Sequence, residues 1–219
     1  MDLSYIALLM PALMQGLWQT LKIFALTLIF SLPLGLVFTL GSISRVLPLR
    51  WLARAYIWIF RGTPLMLQLF FVYYGLPFLG LTFDRFPAAV LTFVLNYAAY
   101  FAEIYRGGIQ SIDRGQHEAA KTLGFTPWQT MRLIIIPQTV SRVIPPVCNE
   151  TITLVKDTAL VTAIGVGELL KAAQGAVNRD VNITAYVVAA LIYLAITFVM
   201  TMAYERLEKY FSRHQKKEA

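Results

Sequence analysis

One polar stretch, Asp113 to Pro137, separates two apolar parts of the chain and reads DRGQHEAAKTLGFTPWQTMRLIIIP. Asp113 and Gln116 have the spacing of a capping box, in which an N-cap side chain and the N3 side chain satisfy each other's backbone. Gly124 stands where a left-handed residue commonly ends a helix. The pattern predicts a short helix over residues 113–124, bounded at both ends by its own sequence.

A second helix start follows at once. Thr126 can act as the N-cap, Pro127 suits the first helical position, and Gln129 completes another capping box. The stretch therefore predicts a short helix, a sharp turn and a new helix that runs into apolar sequence.

The composition indicates an integral membrane protein. The 219 residues are 58% hydrophobic and 14% charged, well below the charged fraction of about 25% in soluble domains. The net charge of +7 comes from basic residues scattered between apolar blocks, which favours contact with lipid headgroups over nucleic acid. The single cysteine, Cys148, excludes an internal disulfide and indicates no metal site.

Five segments are predicted to cross the membrane: residues 16–43, 55–77, 86–107, 133–155 and 181–204. Ile23 to Ile43 is free of charged residues over 21 positions, which is enough for a hydrocarbon core of about 30 Å. Thr63-Pro64 predicts a break inside the second span, because proline removes a helical hydrogen bond. The apolar stretch Thr158 to Gly167 is too short to cross and indicates a packed hairpin or re-entrant piece.

The basic residues predict the orientation of these spans. Arg45, Arg50 and Arg54 follow the first span with no acidic residue between them, and the tail over residues 205–219 is rich in lysine and arginine. Cytoplasmic segments carry such an excess of basic residues. We expect a multi-pass protein of the bacterial cytoplasmic membrane with its N-terminus outside and its C-terminus in the cytoplasm.

A polar stripe lies on the third span. Asn96, Tyr100 and Glu103 are spaced i, i+4 and i+7 and share one helix face. Glu103 and Arg106 are three residues apart and can form an ion pair that could act as a gate. The alternative for Asn96 and Tyr100 is that they only join helices. Arg61, near the predicted break, is either a headgroup anchor or part of a polar pathway, and its position favours the anchor.

Two carboxylates stand out in the fourth span and just after it. Glu150 and Asp157 are seven residues apart, about two helical turns, and share a face if the helix continues. Ionisable groups at membrane depth usually face a protein interior or a water-filled cavity. The alternative for Asp157 is a surface position, where Lys156 would neutralise it.

The sequence contains no catalytic motif. It has no G-x-x-x-x-G-K phosphate loop, no G-x-S-x-G elbow and no H-E-x-x-H zinc site. The prediction is a transport protein rather than an enzyme. An ion-coupled secondary transporter is one competing interpretation, although five spans without an internal repeat fit it poorly. A structural membrane subunit is the other.

Four motifs carry a resemblance to a known family. EAAKTLGFTPWQTMRLIIIP resembles the E-A-A…G…I…P loop of permease subunits in ATP-binding-cassette (ABC) importers, except that Ile136 stands where leucine is common. Three further matches indicate the polar amino acid branch, of the histidine, glutamine and arginine permease type: RGTPL at Arg61–Leu65, AAYFAEIYRGGI at Ala98–Ile109 and KDTAL at Lys156–Leu160. This resemblance implies an all-α membrane protein with the five-helix type I importer fold and a cytoplasmic coupling helix.

The resemblance also implies the partners. The coupling helix would dock into a cytoplasmic ABC ATPase dimer through Glu118, Ala119, Ala120, Lys121 and Gly124. ATP and Mg would be bound by that partner, and this chain would hold no cofactor. A second permease copy, identical or different, and an extracytoplasmic amino acid binding protein would complete the assembly in the lipid bilayer.

For the substrate, the resemblance implies a polar amino acid. Glu150 and Asp157 could bind a guanidinium or ammonium group by charge-assisted hydrogen bonds, which favours arginine, lysine or histidine. Glutamine, glutamate and cystine stay open as alternatives. The predicted substrate-binding residues are Glu150, Asp157, Asn149, Thr158, Asn96, Tyr100 and Thr63.

Overall fold

A computed structural model describes residues 3–212, and this part of the chain is helical and without β-strands. The helices are α1 (Leu3–Ile43), α2 (Leu47–Gly62), α3 (Leu65–Phe70), α4 (Arg85–Gln110), α5 (Arg114–Thr122), α6 (Pro127–Thr130), α7 (Ile136–Asp157), α8 (Leu169–Asp180) and α9 (Thr184–Ser212). Short π and 3₁₀ turns extend some of them: Phe71–Gly75 and Leu76–Leu79 after α3, Met131–Ile135 before α7, and Thr158–Ile164 after α7.

Three of these helices, α1, α4 and α9, are long and apolar enough to cross a membrane. Two bent pairs complete five candidate spans. α2 and the segment Leu65–Leu79 meet at 105°, and the segment Pro127–Ile164 meets α8 at 52°. The break predicted at Thr63-Pro64 is therefore present, and the predicted number of spans is reached when each bent pair counts as one.

The first helix is longer than predicted. It begins at Leu3 rather than near residue 16 and continues through Pro11 and Pro33. Leu9 and Leu13 are buried in a small core formed with α8 and α9. This tertiary packing holds the N-terminal turns as helix, although Pro11 removes a backbone donor there.

α1 and α4 run side by side in the same direction in close contact. Small residues recur every four positions on the buried face of α1: Thr27, Ser31, Gly35 and Thr39. A Cβ atom added at Gly35 would lie 2.9 Å from Phe101 Cβ. The Thr39 hydroxyl donates to the Ala102 carbonyl across the interface at 3.0 Å. Small residues allow such close helix packing in membranes.

The basic segment after α1 is mostly helix rather than loop. α2 begins at Leu47 with a proline in its first turn, a position that suits proline because the missing N–H would be unpaired there. The second span therefore starts eight residues before the predicted residue 55, and Arg50 and Arg54 lie on α2.

The polar stretch forms the predicted short helix and turn. α5 occupies Arg114–Thr122 and is followed by Gly124 at φ +79°. Thr126 and Gln129 form the predicted capping box. At the other cap, the Asp113 carboxylate accepts from the Gly115 N–H at 2.6 Å. Its predicted partnership with Gln116 is wrong: the Gln116 side chain instead contacts that of Gln138 on α7, at 3.4 Å.

The chain after α7 follows the predicted re-entrant piece and then adds a helix. Thr158–Ile164 is a 3₁₀ turn that ends at Gly165 with φ +80°. α8 then occupies a segment for which the sequence predicted no helix. α9 continues to Ser212, so the first part of the predicted tail over residues 205–219 is helical and its end, from residue 213, lies outside the described residues.

Candidate functional site

The break between α2 and α3 is closed by a network of three side chains, Thr63, Gln68 and Asn96. The Gln68 amide donates to the Phe60 carbonyl at 2.9 Å and to the Thr63 hydroxyl at 2.8 Å. Asn96 donates to Gln68 Oε1 at 2.9 Å and to Phe60 O at 3.2 Å. Backbone groups freed at a break within a membrane need such partners. Asn96 and Thr63, both predicted to bind substrate, are thus occupied in holding this break.

An ion-pair cluster lies beside the break. Glu103 and Arg106 form the predicted ion pair, with Arg106 Nε 2.9 Å from Glu103 Oε2. Arg61 NH1 lies 3.7 Å from Glu103 Oε1, and its guanidinium sits 5.4 Å from the centre of the Tyr100 ring. Arg61 thus contacts the Glu103 carboxylate and the Tyr100 ring while its side chain stays 40% exposed, and the choice between a headgroup anchor and a polar pathway stays a prediction. The gate role of Glu103 and Arg106 stays a prediction.

The carboxylate of Asp157 is held by a residue that the sequence analysis did not single out. Tyr97, on α4, donates its hydroxyl to Asp157 Oδ2 at 2.8 Å and is almost fully buried. Because α7 continues to Asp157, Glu150 lies two turns back on the same helix face. Both carboxylates are partly buried.

Two other predicted substrate residues lie apart from this pair. Thr158 is fully buried and its hydroxyl donates to the Val155 carbonyl at 2.6 Å, so it faces the packed core. Asn149 lines a separate cavity of 110 Å³ between α7 and α9, together with Tyr204 and Glu208. The structure brings together Glu150, Asp157 and Tyr97, with Tyr100 on the adjacent turn of α4.

A buried carboxylate fixes the chain just after the 3₁₀ turn. Glu168 is fully buried and caps α8, accepting from the backbone N–H groups of Leu170 at 2.8 Å and Lys171 at 2.6 Å. The hydroxyls of Thr162 and Tyr193 donate to it at 2.5 and 2.9 Å. Four donors from three parts of the chain thus converge on one side chain. The sequence signal was a carboxylate directly before an apolar helical pattern, a position that favours a cap.

α5 presents part of the predicted coupling surface to solvent. Glu118, Ala119, Lys121 and Gly124 are exposed. Ala120 is 1% exposed and packs within the chain, and its contact with an ATPase stays a prediction. Its small side chain lets α5 lie close to its neighbours.

α5 is also tied to the start of the fourth span. Gln116 contacts Gln138, as described above. In addition, Arg142 of α7 contacts Ser111, which lies just before α5: its NH1 is 3.0 Å from the Ser111 hydroxyl and also donates to the Ser111 carbonyl. A displacement of α5 would therefore reach α7, the helix that carries Glu150 and Asp157.

Comparison with known proteins identifies the family. Residues 31–213 match the family of binding-protein-dependent transport system inner membrane components. The chain belongs to this family. The arginine transport system permease protein ArtQ of Bacillus subtilis (strain 168) is 42% identical over 201 residues, which cover 91% of this chain and 92% of ArtQ. The L-cystine transport system permease protein TcyB of the same organism is 40% identical over 206 residues, covering 93% of this chain and 88% of TcyB.

A solved structure agrees with this family assignment of the permease. The crystal structure of an amino acid ABC transporter with histidines superposes with a TM-score of 0.91 at 34% identity, covering 96% of this chain and 99% of the other. The resemblance inferred from the four motifs and the type I importer fold are both confirmed. The permease is a membrane-embedded transport subunit of the amino acid ABC transporter family.

Proposed function

We propose that this permease imports a cationic amino acid (arginine, lysine or histidine) across the cytoplasmic membrane, driven by ATP hydrolysis on a separate subunit. One observation carries the proposal: α7 holds Glu150 and Asp157 on one face, and among residues 3–212 no ion pair includes either carboxylate. Two unpaired carboxylates at membrane depth are costly unless a cation reaches them.

The surroundings of the two carboxylates match a cationic side chain. Tyr97 uses its hydroxyl on Asp157 Oδ2, which fixes the orientation of that carboxylate and leaves Oδ1 for a ligand. The nearby cation Arg61 is already engaged with Glu103. A guanidinium or ammonium group would complete this arrangement with charge-assisted hydrogen bonds, whereas an acidic side chain would be repelled.

ATP hydrolysis on the partner subunit would be coupled to transport through α5. Its exposed residues Glu118, Ala119 and Lys121 form the proposed contact with an ABC ATPase, which would bind ATP and Mg. Two ATPases require two docking helices, so a second permease copy is part of the proposal, as is an extracytoplasmic binding protein that delivers the amino acid. In this assembly the N-terminus lies outside, the C-terminus lies in the cytoplasm, and the Glu103–Arg106 pair gates the path.

A second candidate is a neutral or acidic amino acid, namely cystine, glutamine or glutamate. The observation in its favour is that the cystine permease TcyB is nearly as similar to this chain as the arginine permease ArtQ. The amino acid must therefore be decided by the chemistry at Glu150 and Asp157 rather than by sequence similarity.

Uptake into liposomes by the assembled complex tests the proposal. We expect arginine, lysine or histidine to be taken up, and Glu150→Gln or Asp157→Asn to lower the uptake efficiency roughly 10- to 100-fold, because a hydrogen bond to a charged group contributes about 1.5–3 kcal/mol. Glu205→Gln, at an exposed carboxylate of α9, is the matched control and should change uptake little. Unchanged arginine uptake in both site variants would refute the cationic assignment. Uptake by the permease alone, without an ATPase, would refute the ABC mechanism.

A further inference from the structure

A basic cavity lies between α1, the start of α4 and the connection from α7 to α8. Its volume is 760 Å³. Three cations line it, Lys22, Arg85 and Lys171, with Gln15 and Gln19 as neutral polar neighbours. No aspartate or glutamate is among the lining residues. The cavity is at the end of α4 that is remote from α5, because α5 follows the other end of α4.

The three cations have no carboxylate partner in the part of the chain that the structure describes. None of them occurs in an ion pair among residues 3–212. Arg85 Nε donates to the Tyr73 hydroxyl at 3.3 Å, and Lys171 Nζ lies 3.5 Å from Gln174 Oε1. These contacts are with neutral groups. Three positive charges around one cavity repel each other and raise its affinity for an anion.

The guanidinium of Arg85 lies beside Gly165 at the wall of this cavity. A Cβ atom added at Gly165 would lie 3.4 Å from Arg85 NH1. Gly165 also has φ +80°, a conformation that favours glycine. The turn after α7 therefore places Gly165 in van der Waals contact range of the Arg85 guanidinium, and both residues line the cavity.

An apolar groove adjoins the basic cavity, and Phe86 lines both. The groove has a volume of 590 Å³ and runs along the α1–α4 seam. Apolar side chains line it on both helices, including Leu26, Phe30, Leu34, Phe86, Val90 and Val94. On α1, Leu26 lies one helical turn after Lys22, so the wall changes from cationic to apolar within about 6 Å.

We infer that the cavity and groove together bind an anionic phospholipid, with its phosphate among Lys22, Arg85 and Lys171 and an acyl chain in the groove. Two observations point to a lipid rather than a free anion. The cations alone would suit any phosphate, but a free anion has no use for an adjoining apolar groove. The order of the two surfaces matches the change from headgroup to hydrocarbon in one leaflet of a bilayer.

Native mass spectrometry of the intact permease–ATPase complex tests this inference, with phosphatidylglycerol as the probe. We expect the charge-neutral variant Lys22→Gln/Arg85→Gln/Lys171→Gln to lower the affinity for this lipid about 100-fold, since a membrane-proximal cation contributes roughly fivefold. Arg85→Gln alone should lower it about fivefold. Arg85→Lys, which keeps the charge, should retain most binding.

Arg179→Gln is the matched control, because Arg179 is a nearby exposed cation already paired with Asp180. It should leave phosphatidylglycerol binding unchanged. Equal lipid binding by Arg85→Gln and Arg179→Gln, with both complexes intact and equally stable, would overturn the headgroup assignment. Equal binding of the zwitterionic lipid phosphatidylethanolamine would overturn it too.

A second variant tests the groove with all three cations in place. Val90→Trp should fill the groove and reduce retention of the lipid, whereas Leu194→Trp, at an exposed position of α9, should not. If Val90→Trp has no effect and excess inorganic phosphate displaces the bound phosphatidylglycerol, the site takes a free anion and the lipid inference is wrong. If Val90→Trp instead removes a second permease copy from the complex, the groove is an interface between copies.

Discussion

The buried carboxylate of Glu168 allows a prediction whose magnitude follows from its contacts. Glu168→Gln preserves the size of the side chain but replaces one acceptor oxygen with an NH₂ group. Each carboxylate oxygen accepts one backbone N–H and one hydroxyl: Oε1 from Lys171 and Thr162, Oε2 from Leu170 and Tyr193. A hydroxyl can turn and accept from the new NH₂, but a backbone N–H cannot.

Whichever way the amide is placed, one partly buried N–H at the start of α8 therefore loses its partner. An unsatisfied buried donor costs about 1–3 kcal/mol. Loss of the negative charge at the N-terminus of α8 adds about 0.3–1 kcal/mol. The sum is about 1.3–4 kcal/mol of unfolding free energy. For a chain of this size, that lowers the melting temperature by about 3–16 °C.

The assay is thermal unfolding of the purified complex in detergent, followed by size-exclusion chromatography with fluorescence detection. Glu205→Gln makes the same chemical change at an exposed carboxylate, 3.9 Å from Lys209 on the surface of α9, and should shift the melting temperature by no more than about 2 °C, since exposed ion pairs contribute little. If Glu168→Gln and Glu205→Gln have the same melting temperature, the four hydrogen bonds to Glu168 do not contribute the stability assigned to them, and the reasoning fails.

Three further changes probe other parts of the fold. Gly35→Ala places a Cβ 2.9 Å from Phe101 Cβ and should lower the stability by about 1–3 kcal/mol through overpacking. In the control Gly107→Ala, the new Cβ meets no atom within 4 Å, so this variant should not be destabilised. Thermal melting of the two variants tests the difference. Gln68→Leu removes the centre of the α2–α3 network and should lower both the melting temperature and amino acid uptake, and a wild-type melt with normal uptake would contradict a structural role. Gly124→Ala, at φ +79°, should lower the stability by about 1 kcal/mol and reduce the amount of ATPase subunit that co-purifies with the permease. Full recovery of the ATPase would show that the turn after α5 tolerates a side chain.

The sequence was most informative where local chemistry decides local structure. The Thr126–Gln129 capping box, the left-handed Gly124 and the break at Thr63-Pro64 each depend on residues a few positions apart, so they were predictable. The pairing of Glu103 with Arg106 belongs to the same class, because residues three apart on a helix are neighbours.

The sequence was least informative where partners come from distant segments. From its sequence position, Tyr97 is an ordinary aromatic core residue. Its role is visible only in the structure, where α7 places Asp157, 60 positions later, at its hydroxyl. Glu168 reads as a surface charge until Tyr193 of α9 reaches it. Asn96 and Thr63 are a further case: their polarity suggested a ligand, and the distant residue Gln68 is the partner that the structure gives them.

The close packing of α1 on α4 has a consequence for the transport cycle. With Gly35 directly against Phe101 and Thr39 bonded across to Ala102, these two helices have no room to slide past one another, and we expect them to turn together as one rigid frame. Bending would then fall to the places where the helical ladder is already interrupted, at Thr63-Pro64 and at the turn around Gly165, and would have to break hydrogen bonds of Gln68 or Glu168 there. The first of these sites lies at the C-terminal end of α2 and the second lies beyond the C-terminal end of α7. We therefore expect a displacement of α5 to change the angles at these two sites while the α1–α4 pair keeps its shape.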